Sequence, residues 1–265
     1  MNQAELKAGT QHSALSNQQS KIGKPQARSG FARIPAQKTK HHRDSSTESQ
    51  GRLFLLAGGH HRSRGGSDPL AMMLANLAIS SPRIACIGAA SGDDKDFFLR
   101  LKSLLIGSGA GVVEMVPLAG RRHVGDRAVE SLERADMIFV GGGDVEEGMR
   151  TLEKCGAVQL LTNHFQNGMP FLGISAGSIM LAQAWVRWRD PDDDASAERF
   201  PCLGFAPFLC DTHDERSGWE ELRTLLSISP KGSIGYGIPS GGGIIVEADG
   251  SVMPCGCPAV LYRNK

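Results

Sequence analysis

A chain of 265 residues, 40% hydrophobic and 22% charged, carries enough apolar side chains for one ordinary globular core. A formal net charge of +1 argues against a dedicated nucleic-acid binder, and no apolar run approaches the length of a membrane span. Six cysteines (Cys86, Cys155, Cys202, Cys210, Cys255, Cys257) in so long and apolar a chain do not make a disulfide scaffold. They read as mostly buried thiols of a reducing compartment, so a cytoplasmic protein is expected.

Residues 1–51 are rich in Gln, Ser, Lys and Arg, with isolated apolar residues at no helical or strand period, and are expected to form a disordered, mildly basic tail. The pair His41-His42 in "KTKHHRDSS" reads as part of a solvated charge run. Residues 52–265 are expected to be a single catalytic α/β domain. In it "RLFLLAGG", "RIACIGAAS", "VVEMVPLAG" and "DMIFVGGG" are short apolar runs ending in small residues, as buried parallel strands do. Between them "SDPLAMMLANLAIS" carries a Ser or Asp cap with Pro in the first turn, "DDKDFFLRLKSLL" has helical spacing, and "DRAVESLERA" opens on an aspartate read as a cap. Alternating strand and helix implies a doubly wound, mostly parallel sheet sandwiched by helices, with ligands beyond the carboxyl ends of the strands. No phosphate-loop or Gly-x-Gly-x-x-Gly signature falls at a strand-to-helix junction, so no nucleotide cofactor is expected. The Cys255-Gly256-Cys257 pair has no partner pair at zinc-ligand spacing and reads as structural filling, so no metal is expected.

"MPFLGI" reads as a fifth strand, and "AGSIMLAQAWV" as a helix beginning directly after Ser175. The segment Gly173-Ile174-Ser175-Ala176-Gly177 therefore has the form of a nucleophile elbow, in which small flanking residues let a serine occupy a strained turn. On the motif alone, Ser175 is either a nucleophile or a small residue in a tight turn. A serine hydroxyl needs a base, and His213 is the one histidine that follows it. It lies after the apolar run "PFLC", in the polar cluster Asp211, Thr212, His213, Asp214, Glu215, Arg216, at the carboxyl edge of another strand. Gly141-Gly142-Gly143, ending the fourth strand, can leave amides uncovered for an oxyanion, with Ala176 supplying a second donor.

"FVGGGD", "FLGISAGS", "CDTHDER" and "GYGIPSGGG", in that order over about residues 52 to 265, resemble the dipeptidase E and cyanophycinase family of serine peptidases. The resemblance implies a class I glutamine-amidotransferase-like fold, Ser175 as nucleophile, His213 as base, and the amides of Gly143 and Ala176 as oxyanion hole. The cyanophycinase-like members present a glutamate in a Gly-Ile-Asp-Glu-Gly turn, where this chain reads Gly237-Ile238-Pro239-Ser240-Gly241. Ser240 cannot replace that carboxylate. Dipeptidase E resembles another solution, with an aspartate about fifteen residues beyond the nucleophile. Asp190 holds that place and is the expected triad acid, with Asp211, Asp192 and Glu215 as runners-up.

For substrate binding the expectation rests on Arg216 and on His60 and Arg62 in "GGHHRSRGG", groups able to receive a peptide carboxylate. The expected partner is a small or isopeptide-linked peptide carrying an acidic residue or a free terminus. Neither nucleic acid nor membrane is expected, and a homodimer is left open. Two alternatives remain: a catalytically silent binding protein that has lost the triad acid, and an α/β-hydrolase esterase. The esterase is disfavoured because only about ninety residues follow Ser175 and the glycine triplet lies too near the elbow.

Overall fold

The computed structural model describes residues 50–58, 68–190 and 192–265. In chain order the elements are β1 (Leu53–Leu56), α1 (Pro69–Asn76), β2 (Arg83–Ile87), α2 (Lys95–Gly107), β3 (Val112–Val116), α3 (Asp126–Glu133), β4 (Met137–Val140), α4 (Val145–Lys154), α5 (Ala157–Gln166), β5 (Phe171–Ile174) and α6 (Ala176–Leu181). They continue with β6 (Ala184–Trp188), β7 (Ala197–Pro201), β8 (Leu209–Thr212), α7 (Glu220–Ser227), β9 (Ile234–Ile238), β10 (Gly242–Val246), β11 (Val252–Gly256) and β12 (Val260–Arg263).

Seven strands form the main sheet in the order β11-β10-β1-β5-β4-β2-β3. From β1 to β3 every pairing is parallel, while β10 and β11 close one edge antiparallel. The expected mostly parallel sheet is present. Alternation along the buried strands divides the core: Leu53, Leu55, Ile138 and Val140 face α4, α5 and α6, while Phe54, Leu56, Met137 and Phe139 face α1 and α2. Both faces are thus covered, as a sheet of continuous apolar runs requires.

Helix starts follow their capping chemistry. Asp68 accepts from Leu70 N–H at 3.0 Å with Pro69 in the first helical position of α1, and Asp94 accepts from Phe97 N–H at 2.6 Å at the start of α2. Asp126, expected to cap α3, instead lies inside its first turn; Gly125 is the cap and makes no side-chain bond. There the carboxylate acts only on the positive end of the helix.

A smaller sheet, β12-β9-β8, and the hairpin β6-β7 carry the later part of the chain. Their core gathers Val186, Leu209, Trp219, Leu222 and Leu226 under α7. "AGSIMLAQAWV" is not one helix: α6 ends at Leu181, Ala182 is extended, and "AWVRW" is β6. Bulky, β-branched and aromatic side chains there pair across the hairpin, Trp185 opposite Phe200, and this outweighs the apolar continuity that suggested a helix.

The domain includes Gly51 as well as the residues after it. Its N–H donates to Phe165 O at 2.7 Å, and a Cβ there would lie 1.9 Å from Met169 O. The tail expected over 1–51, apart from residues 50 and 51, and the pair His41-His42 lie outside the described residues. Cys255 is buried with Sγ 3.6 Å from Pro69 O, a packing role in keeping with the structural reading of the Cys-Gly-Cys pair.

Candidate active site

Ser175 sits between β5 and α6 with φ 54° and ψ −124°, a conformation that L-residues rarely adopt. The neighbours explain why glycine flanks it. A Cβ on Gly173 would lie 2.6 Å from Ser178 N, and one on Gly177 would lie 2.0 Å from Val140 O. Ser175 N–H donates to Leu56 O at 2.9 Å, tying the turn to β1. The hydroxyl is therefore aimed by backbone packing from three strands.

His213 follows β8 directly and also takes a left-handed φ, 48°. Its N–H donates to Ile238 O at 2.9 Å, extending the β8-β9 pairing by one bond, and the ring swings over the elbow. His213 Nε2 lies 2.7 Å from Ser175 Oγ. An Nε2 that accepts the hydroxyl proton requires the proton of the neutral ring on Nδ1. Among the described residues, Nδ1 makes no hydrogen bond.

Gly142 of the glycine triplet lies against Ser175. A Cβ on Gly142 would be 3.2 Å from Ser175 Cβ and 3.7 Å from Oγ, and one on Gly143, at φ 143°, would lie 1.9 Å from Ala90 O. Gly141 N–H is used by Ile87 O, but the amides of Gly142, Gly143 and Ala176 donate to no acceptor among the described residues. Free amides beside a poised hydroxyl are what a tetrahedral oxyanion needs. Gly143 and Ala176 are the pair expected to receive an oxyanion; of the three free amides, that of Gly142 belongs to the residue nearest Ser175.

Residues 53–252 match the model of peptidase family S51. The chain belongs to that family. It is thereby a serine peptidase. Over 222 residues it is 25% identical to a protein named Peptidase E from Streptomyces coelicolor, covering 80% of this chain and 87% of that one. A crystal structure of a peptidase from an acI-B1 actinobacterium superposes with a TM-score of 0.61 at 19% identity, over 82% of this chain and 91% of the other. That of a putative Peptidase E protein from Listeria monocytogenes gives 0.57 at 16% identity, over 79% of this chain and all of the other. These two likenesses concern the fold.

In this S51 chain Asp190 does not meet the histidine. It lies at the exposed bend after β6, where Oδ1 accepts from Asp192 N–H at 3.1 Å and its own N–H donates to Ser196 Oγ at 3.0 Å. The hairpin turn uses this carboxylate locally, which corrects the expectation that it orients His213. Asp192, a runner-up, lies in the same exposed turn.

The carboxylates that do surround His213 separate into two groups. Asp211, Asp214 and Glu221 lie toward α7. Burial pushes Asp211 up to about 7, helped by the charges of Glu221 and Asp214, and its Oδ2 is buried without a partner. Glu221 is also raised, chiefly by burial, although Trp185 Nε1–H donates to it at 3.0 Å. Glu215 points to the other side, where Ser240 N–H donates to Oε1 at 3.4 Å. Partial burial opposes its ionisation, but its own amide, the Ser240 hydroxyl and amide, and the charge of His213 together hold it below the usual glutamate range.

Arg216 is exposed beside this segment, with no salt bridge among the described residues. His60 and Arg62 lie outside the described residues. Burial pushes the Cys86 thiol up to about 12 and holds that of Cys210 well above its ordinary value, which leaves both far from thiolate chemistry at neutral pH.

Proposed function

We propose that this S51 peptidase hydrolyses small or isopeptide-linked peptides through an acyl-enzyme, with Ser175 as nucleophile and His213 as base and acid. The observation that carries this reading is the 2.7 Å separation of Ser175 Oγ and His213 Nε2 across a strained elbow. As Oγ attacks the scissile carbonyl carbon, its proton moves to Nε2, and the oxyanion is received by the free amides of Gly143 and Ala176, with Gly142 beside them. The C–N bond breaks when Nε2 returns the proton to the leaving amine. Water, deprotonated by the same nitrogen, then cleaves the ester and restores Ser175.

Peptides with an acidic residue or a free carboxyl terminus are the preferred substrates in this reading, supported by the exposed Arg216 three residues beyond the base. A cytoplasmic location accords with the free, largely buried thiols. No helix among the described residues is long and apolar enough to cross a membrane.

The reading is tested with a serine-directed fluorophosphonate and a panel of dipeptides with and without Asp or Glu. Wild type is expected to label at Ser175 and to cleave members of the panel, while Ser175→Ala loses both with an unchanged melting temperature. Turnover that survives Ser175→Ala excludes this nucleophile.

A further inference from the structure

Among the described residues no carboxylate hydrogen-bonds the imidazole that must carry its proton on Nδ1, and the residue first expected to do so is committed to a hairpin turn. A neutral imidazole without an anion nearby gains no help as it becomes an imidazolium, and nothing favours the productive tautomer. The segment after β8 supplies an answer. Running from Asp211 in β8 to Glu221 in α7, the chain sends the backbone amide of His213 to the end of β9 and the carboxylate of Glu215 to the turn after it. There the backbone of His213 bonds to Ile238 and the carboxylate of Glu215 bonds to Ser240, two residues further along the same turn.

We propose that Glu215, seated on the amide and hydroxyl of Ser240, is the positioning anion of His213, and that Ser240 stands in the turn as the seat of this carboxylate. The proposal rests on the Ser175-His213 reading above.

Three features favour Glu215 over its neighbours. It is an anion near neutrality, being held below the ordinary glutamate range, and the charge of His213 contributes to that. Asp211, by contrast, is 6% exposed and titrates near 7, so it is a weak source of negative charge at working pH. Glu221 also feels the charge of His213, but burial raises it and the Trp185 indole takes up its Oε2. Asp214 leaves its Oδ2 buried without a partner among the described residues. Glu215 alone shares its anchoring turn with the histidine. The serine at 240 then has a positive role, because a hydroxyl and an amide together hold a carboxylate arriving from another loop.

The experiment follows the rate of fluorophosphonate labelling at Ser175 against pH, which needs no peptide substrate. A failure to find a cleaved peptide therefore leaves this test intact, while inertness of the wild type to the reagent would overturn the underlying Ser-His reading. Glu215→Gln is expected to slow labelling by roughly 30-fold at its plateau and to move the acidic limb to lower pH, because the imidazolium loses its anion. Glu215→Asp is expected to recover part of the rate. Ser240→Glu in the Glu215→Gln background, which supplies a carboxylate from the seat itself, is expected to restore labelling to within a few-fold of wild type. Labelling by Glu215→Gln within twofold of wild type with an unmoved limb overturns the proposal. So does a slow Glu215→Gln variant whose limb stays in place and that neither Glu215→Asp nor Ser240→Glu improves. Should Glu215→Gln fold poorly, Ser240→Gly in wild type removes the hydroxyl from the seat; a smaller loss of rate with the same shift of the limb supports the assignment, and no change overturns it.

Discussion

The elbow and the histidine segment reach the same point in space by opposite means. Around Ser175 the chain is pinned from outside: Gly173 and Gly177 sit against backbone atoms of α6 and β4, Ser178 Oγ donates to Leu56 O at 2.8 Å, and all of α6 is buried. Around His213, apart from the bonds to Ile238 and Ser240, the chain is pinned mainly by local contacts. Trp219 N–H donates to Asp214 O at 3.2 Å, Ser217 Oγ donates to Asp214 O at 3.1 Å, and one buried indole, 4% exposed, anchors a mostly exposed turn. Ser175 is thus held by the fold, and His213 by a short local structure docked on the fold. Damage to the first is expected to appear as lost stability, and damage to the second as lost rate.

The sharpest test sets two glycines against each other. Gly177→Ala places a methyl group 2.0 Å from a backbone carbonyl, whereas a Cβ on Gly218, at φ 73°, meets nothing within 4 Å. The first is expected to cost more than about 4 kcal/mol in urea unfolding, and the second about 1 kcal/mol, from backbone strain alone. Equal costs would break the contrast.

A smaller effect is expected from Asp211→Asn. The folded carboxyl titrates near 7, above its ordinary value near 4, so between these the folded state holds a proton that the unfolded chain has released. Stability contributed here therefore falls as pH rises from about 4 to about 7. Asparagine removes the charge and keeps the shape, so Asp211→Asn is expected to gain about 2 kcal/mol at pH 8, little at pH 4, and to flatten the slope between. An unaltered pH dependence would show that Asp211 does not carry the buried charge. The least effect is expected from Asp190→Asn, with turnover within about twofold of wild type, since its bonds are those of the exposed turn. A loss of tenfold or more would return Asp190 to the site.

What could be read from the sequence follows the same division. Strands β1 to β5 advertise themselves as apolar runs because both faces of the sheet are covered, and the elbow motif is legible because its glycines answer backbone clashes adjacent in the chain. The stretch "GYGIPSGGGIIV" hides two strands, β9 and β10. Its glycines are there because a Cβ on Gly237 would lie 2.5 Å from the Trp219 ring and one on Gly243 would meet Met73 and Leu55 O, and no local pattern records such partners. The acid was misread for a related reason. A spacing of fifteen residues places Asp190 only if α6 and the following strand keep the expected lengths, and here the helix stops at Leu181. Glu215 was visible as a carboxylate near the histidine, but its seat on Ser240 depends on a parallel pairing that brings β9 beside β8.

Ser175 and His213 share a property that neither needs for folding. Both are L-residues at positive φ, where glycine would rest more easily. The two side chains face each other at positions where the backbone resists them, so exchange of either for glycine is expected to relieve local strain while removing the Ser175–His213 contact.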